Sequence, residues 1–198
     1  GDFETMGRVE RLHWERAAQL RVKRVVMGEC GHAYRGAVYD GPRWLGWTKP
    51  PIPMVHAVEY YYELLKSGRI KIAHKYEEPV TVQDPCNIVR GRGLHDKLRY
   101  VVNEICADFR DMEPRYEHNY CCQAGGGLIN CGPPWKRSRM KSNRIKADQI
   151  HDTGAHMVIT PCHNCHSGIE DIIGFYKLDC HVSFISELLV KTMEMPEA

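Results

Sequence analysis

Met157-Val158-Ile159-Thr160-Pro161-Cys162-His163-Asn164-Cys165 is a short apolar run that stops at a proline and then presents a C-x-x-C pair. A bounded run rich in β-branched residues is strand chemistry, and Pro161 ends it. The same grammar recurs upstream. Val80-Thr81-Val82-Gln83 reads as a strand that runs into Asp84-Pro85-Cys86, and Val22-Lys23-Arg24-Val25-Val26-Met27 runs into Gly28-Glu29-Cys30. Residues 22–30 align without gaps on residues 154–162, each copy with a helix before it and a cysteine just past the strand. Strands alternating with helices predict an α/β fold with mostly parallel sheets and crossover helices. In such sheets ligands collect at the carboxyl ends of strands. Cys30, Cys86 and Cys162 are therefore expected at one edge, with Cys121 beside them.

Around these strands the periodicity predicts helices. Phe3, Met6, Val9, His13, Ala17 and Leu20 mark one over 3–20. Val55, Val58, Tyr62 and Leu65 mark another, stopped by Gly68. Leu94, Leu98, Val101, Ile105 and Phe109 form a third stripe, and one more helix is expected over about 138–152. A strand is expected to lead into Cys121. Ser183 reads as the N-cap of a last helix whose buried face is Phe184, Leu188 and Leu189. Residues 40–53, with Gly41-Pro42, Pro50-Pro51 and Pro53, read as an extended connector without an element.

The repeat has a defect. Where the second copy has C-x-x-C, the first has Cys30-Gly31-His32-Ala33 and lacks the second sulfur. The reading is two pseudo-repeated parallel-sheet lobes with a truncated N-terminal lobe. Residues 1–70 are the C-terminal part of a degenerate first lobe, and residues 71–198 are a second lobe that carries the site.

Composition narrows the function. The chain has 27 basic and 25 acidic residues, a net charge of +2, so nothing in the total calls for nucleic acid or an anionic membrane. No apolar run is long enough to span a bilayer. Nine cysteines without a signal-peptide pattern suggest a reducing, cytoplasmic setting, where thiols serve metals or catalysis. The vicinal pair Cys121-Cys122 is poorly placed to bridge to itself. Together with Cys86 and Cys162-x-x-Cys165 it suggests a centre needing several sulfurs, a metal or an iron–sulfur cluster. A four-sulfur zinc module stays open as a rival, although a zinc ribbon uses compact knuckles. Gly125-Gly126-Gly127 lets the backbone turn tightly and aim N–H groups at sulfur. Cys106 and Cys180 read as core thiols, and Cys131 as a packing residue. His163 and His166 flank the C-x-x-C. His32 is the candidate acid, with Cys30 facing the same cavity. Lys136-Arg137-Ser138-Arg139-Met140-Lys141 is a basic helix start or a docking patch.

Four local stretches carry a resemblance: Gly28-Glu29-Cys30-Gly31-His32-Ala33, Asp84-Pro85-Cys86, Cys121-Cys122-Gln123-Ala124-Gly125-Gly126-Gly127 and Pro161-Cys162-His163-Asn164-Cys165. Together they resemble the cysteine-rich CCG domain of heterodisulfide reductase catalytic subunits, and look most like the DsrK-type subunits of sulfur metabolism. Gln123 departs from the pattern, standing where that family has its name-giving glycine. The resemblance implies a noncubane [4Fe–4S] cluster on Cys86, Cys121, Cys122, Cys162 and Cys165 that cleaves a disulfide or trisulfide. It also implies electron-donor subunits with ferredoxin-type clusters, a membrane cytochrome subunit, and a small DsrC-like or thiol disulfide substrate, with the chain peripheral to a membrane complex. Relatives in glycerol-3-phosphate and glycolate oxidation imply the alternative of an electron relay toward quinone.

Overall fold

The computed structural model describes residues 2–195. Helix α1 (Phe3–Gln19) is capped by Asp2, whose side chain accepts from the Thr5 N–H at 2.9 Å. It buries Gly7, Glu10, Trp14 and Ala17 at helical spacing. Strand β1 (Val25–Met27) leads to α2 (Gly31–Arg35), a π-helical turn over Gly36–Asp40 and α3 (Gly41–Trp44). Strand β2 (Met54–His56) precedes α4 (Ala57–Lys66). Then come β3 (Val80–Val82), α5 (His95–Ile105), α6 (Pro133–Ser142), α7 (Arg144–Thr153), β4 (Met157–Thr160), α8 (His163–Tyr176), β5 (His181–Phe184) and α9 (Ile185–Thr192).

The strands form two small parallel sheets, β1-β2 and β3-β4-β5. Val25 pairs with Met54 in the first, and Val82 with Ile159 in the second. Every residue of β3 and β4 is buried, as expected of parallel strands covered on both faces. Side chains alternate across β4, so Met157 and Ile159 enter one core and Val158 the other. The first core runs from Trp14, Tyr34 and Met54 through Leu98, Val101 and Val102 to Ile185 and Leu188, joining both sheets. The second lies under the cysteines and holds Met112, Met140, Ile150, Ile169 and Ile172.

Both sheets use the same joints. Cys30 is the N-cap of α2 and Cys162 that of α8, both with extended backbone. One strand further on, Glu59 accepts the His56 N–H at 3.0 Å and Glu187 accepts the Phe184 N–H at 3.1 Å, closing the first turns of α4 and α9. Glu29 ties the sheets together. Its carboxylate accepts the N–H groups of Ile185 at 3.1 Å and Ser186 at 2.8 Å, and the Tyr61 hydroxyl at 3.2 Å. Burial pushes its pKa up, opposed by these hydrogen bonds.

Several expectations are corrected. Residues 40–53 are not free of structure, since α3 occupies Gly41–Trp44 with Pro42 in its first turn. The apolar residues from Met54 begin as strand β2, and α4 starts only after its His56 cap. The third stripe ends at Ile105. Cys106 and Phe109 lie beyond it and bridge to Tyr76 and Val80 instead. No strand leads into Cys121 among the described residues; a 3-10 turn over Tyr116–His118 comes before it. The expected 138–152 helix is two, broken at Asn143, whose side chain is committed to the Cys122 carbonyl. Ser183 belongs to β5 rather than opening a helix, because its backbone is taken by pairing with Ile159.

Candidate metal centre

Asp84-Pro85-Cys86 leaves the end of β3 and is fixed from behind. The Arg99 guanidinium bonds both Asp84 carboxylate oxygens, the second at 2.8 Å, and Arg99 Nη2 also reaches Asp111 at 2.7 Å. The Tyr116 N–H donates to Asp84 Oδ2 at 2.9 Å. This buried pair holds the turn before Cys86, while Arg90 grips the Glu117 and Asn119 carbonyls, each at 2.7 Å, on the approach to Cys121.

The vicinal pair is set by the loop after it. Gln123, Gly126 and Gly127 all have positive φ, 54°, 65° and 82°. A side chain in the left-handed region costs about 1–2 kcal/mol. Gln123 recovers part of that by accepting from the Ser142 hydroxyl at 2.8 Å. On the far side, Gly168 of α8 meets Cys122 so closely that a Cβ there would stand 2.9 Å from the Cys122 carbonyl oxygen and 2.8 Å from Ala124 Cβ. Cys162 caps α8 and Cys165 lies in its first turn, so both sulfurs sit at the positive end of that helix.

Three chain segments thus converge. Cys86, Cys121, Cys122, Cys162 and Cys165 line one cavity of about 450 Å³, together with His32, Arg35, Asn87, Gln123, Gly125, Gly126 and Asn164. The sulfurs of Cys122 and Cys165 are 3.4 Å apart. Cys122, Cys162 and Cys165 are buried, whereas Cys86 and Cys121 are exposed at the mouth. Among the described residues, no three His, Cys, Asp or Glu side chains converge tightly enough to hold a single metal ion.

The thiols share charge unevenly. Hydrogen bonds from Cys121 and then Cys165 hold Cys122 well below the usual thiol range, with the Ala124 N–H and Lys146 adding to the effect. A hydrogen bond from Cys165 brings Cys162 to about 6. Cys121 and Cys165 are raised, first by bonding to these thiolates and then by burial. Cys86 is raised by burial and by Cys122 and Cys162. Without a cation, mutual repulsion keeps the set from ionising fully. A sulfur-ligated iron centre supplies that positive charge, and five soft donors around one cavity fit such a group.

His32 stands over this cavity. Its Nδ1 meets the Asn164 side-chain amide at 2.9 Å, which fixes the ring and turns Nε2 toward Gly125. The ring lies against Gly125, where a Cβ would be 3.1 Å from Cε1 and 3.2 Å from Nε2, so a bare backbone is what admits the histidine. Cys30 does not line the cavity. Its sulfur accepts the Ala33 N–H at 3.5 Å, because the N-cap role turns it toward its own helix. Gly127 also lies outside the lining, as the left-handed cap of a 3-10 turn. His163 and His166 both face Phe184, the latter stacked at 4.5 Å, away from the sulfurs. Cys106 is buried with its thiol pushed up to about 12, and Cys131 contacts the Gly127 carbonyl at 3.7 Å. In the basic run, Lys136 and Arg139 pair with Asp171.

Sequence reasoning missed Asn164, Gly168, Asn143 and Lys146. Only Gly168, a glycine inside a helical pattern, carried a signal of close packing.

The family match is local and the relatives align broadly. Residues 80–170 match the CCG cysteine-rich domain. One relative, from Methanosarcina barkeri, is the D component of dihydromethanophenazine:CoB–CoM heterodisulfide reductase. It is 29% identical over 182 residues, covering 91% of this chain and 44% of that protein. An Hdr-like menaquinol oxidoreductase iron–sulfur subunit from Archaeoglobus profundus is 27% identical over 185 residues, covering 75% of this chain and 33% of its own length. The chain therefore spans less than half the length of these curated relatives. Among solved structures, glutamate racemase from Francisella tularensis superposes with a TM-score of 0.43 at 13% identity, over 96% of this chain and 62% of that one. Residues 80–170 thus resemble the cysteine-rich CCG domain, in a chain similar to heterodisulfide reductase D components and to Hdr-like proteins.

Proposed function

We propose that this chain is the cluster-bearing part of an Hdr-like iron–sulfur oxidoreductase subunit that reduces a disulfide or trisulfide of a partner. Cys86, Cys121, Cys122, Cys162 and Cys165 hold a noncubane [4Fe–4S] cluster. The observation that carries this reading is the convergence of five cysteines, from three separate segments, on one cavity of about 450 Å³. When bound, the cluster supplies one-electron chemistry and iron to which sulfur can bind. The chain supplies the rest. Gly125 and Gly126 add bare backbone to the lining, and Arg35 and Gln123 add polar groups. Asn164 holds the His32 ring over the cavity. His32 in its doubly protonated form, with the Asn164 amide oxygen turned to accept from Nδ1, gives the Nε2 proton to the departing thiolate and is left as the neutral imidazole. Leaving thiols of low pKa are favoured.

The wider assembly belongs to the same proposal. Electrons arrive one at a time from ferredoxin-type clusters of partner subunits, in a DsrK-type arrangement on the cytoplasmic side of a membrane complex with a cytochrome subunit. No helix among the described residues is long and apolar enough to cross a membrane. Residues 1–70 and 71–198 are read as two lobes of one repeated design. The matching N-caps at Cys30 and Cys162 and the matching glutamates at Glu59 and Glu187 support that division. A second reading is a pure electron relay toward quinone, favoured by the relative named as a menaquinol oxidoreductase subunit.

Anaerobic reconstitution followed by metal and sulfide analysis tests the core of this reading, with about four irons expected per chain. A colourless protein with a single zinc would sink it. A reductive titration with a small organic disulfide, followed by EPR, separates the two electron-transfer readings. A thiol-induced paramagnetic signal supports disulfide chemistry, and its absence in a fully loaded cluster supports the relay. His32→Ala should slow disulfide reduction and leave cluster reduction by dithionite unchanged. An equal loss in both would make His32 structural.

A further inference from the structure

Lys146 has no exposed surface, although lysine is among the residues least often found inside. It sits on α7 and bonds Asn119, which lines a small cavity together with Cys86, Cys121, Cys122 and Cys165. Its Nζ donates to Asn119 Oδ1 at 2.6 Å and to Gln149 Oε1, and lies 3.6 Å from Met112 Sδ. All three partners are neutral. Gln149 is itself fixed by donating to the Pro114 carbonyl at 2.7 Å, and Asn119 by contact with the Asp84 carbonyl. An ammonium in a dry interior is costly unless negative charge stands near it. The nearby buried carboxylate, Asp84, is already engaged by Arg99 and the Tyr116 N–H. Burial pulls the Lys146 pKa down to about 7, and the groups that pull it back up are Cys122 and Cys165 first, ahead of Asp84. The remaining anions are the thiolates.

We infer that Lys146 is the fixed counter-charge of the sulfur-ligated centre, a positioning residue that makes its reduction easier. The inference rests on the cluster reading above. Adding an electron adds negative charge beside a buried ammonium, and in a medium of low dielectric that attraction is far stronger than in water. Asn119 and Gln149 hold the charge in place while leaving it unneutralised.

The test is a redox titration of the intact, iron-loaded chain, followed by visible absorbance or EPR. Lys146→Met should bind iron as the wild type does. Its one-electron reduction should be at least tenfold less favourable, a midpoint lower by about 59 mV or more. An iron-loaded variant with an unmoved midpoint would overturn the inference. Because Lys146→Met can fail to fold, Lys146→Gln gives a second route, removing the charge while keeping a polar side chain toward Asn119 and Gln149. A downward shift in Lys146→Gln supports the role, and an unmoved midpoint overturns it. A wild-type chain that takes up no iron is a different result, which defeats the cluster reading itself.

Discussion

Gly168 shows how much a single missing methyl can decide. A Cβ at this position would lie 2.9 Å from the Cys122 carbonyl oxygen, with Ala124 Cβ on its other side at 2.8 Å. Neither neighbour can give way, because Cys122 and Ala124 are buried together in one loop. Gly168→Ala should therefore cost about 1–3 kcal/mol in thermal or denaturant unfolding. It should also lower iron content by displacing Cys122. The cysteines themselves divide sharply. Cys122→Ser should lose iron with little else changed, whereas Cys106→Ser should keep full iron and lose about 1–2 kcal/mol by burying a hydroxyl without a ready partner. Iron analysis beside urea unfolding separates the two. The sulfurs that line the cavity were legible in the chain, because a vicinal pair, a C-x-x-C and a strand ending at Asp84-Pro85-Cys86 mark them. Asn164 and Lys146 were not, since a polar residue on a helix reads as solvated until the helix is known to face inward.

At the scale of elements, the strand–helix joints explain both the success and the failure of reading by pattern. The ends of β3 and β4 were legible because an apolar run meets a proline. Strand β2 was hidden, since Met54-Val55-His56 also fits the helical period of the residues that follow. Its last residue has a measurable signature. His56 is fully buried, its Nδ1 accepts the Val58 N–H at 3.2 Å, and burial lowers its pKa from 6.5 to about 4, opposed by Glu59. Between these values the unfolded chain takes up a proton that the folded chain refuses. Stability from this group is complete above pH 6.5 and falls as pH drops toward 4, by about 2–3 kcal/mol at pH 4.5. His56→Asn keeps a capping side chain and removes the titration. Urea unfolding at pH 7 and pH 4.5 should show a smaller acid loss in this variant than in the wild type. An equal loss would mean that His56 is accessible to protons in the fold.

For the whole molecule, the first core is built without the glycine-rich loop, and the second takes only Cys122, Ala124 and the flank of Ile129 from it. One joins the sheets through Val101, Val102, Ile185 and Leu188, and the other packs α8 against α7 through Ile169, Ile172 and Ile150. The segment between Cys121 and α6 spans the mouth with short 3-10 and turn structure and an exposed Leu128, and Trp135 at the start of α6 is exposed beside it. Removing iron with a chelator should therefore loosen this segment and leave the cores closed. Limited trypsin digestion should cut first at Lys136 or Arg137, with helical circular dichroism preserved; global loss of helix on chelation would show that the metal holds the fold together. That independence was not legible in the sequence, where the loop and the cores share the same cysteines. The 3.4 Å approach of the Cys122 and Cys165 sulfurs has a further consequence for how the protein comes into being. An empty site exposed to air is poised to bolt itself shut through these two sulfurs, so maturation has a required order: iron must arrive while the thiols are still reduced. Polypeptide that misses that window should refuse iron until a reductant reopens it.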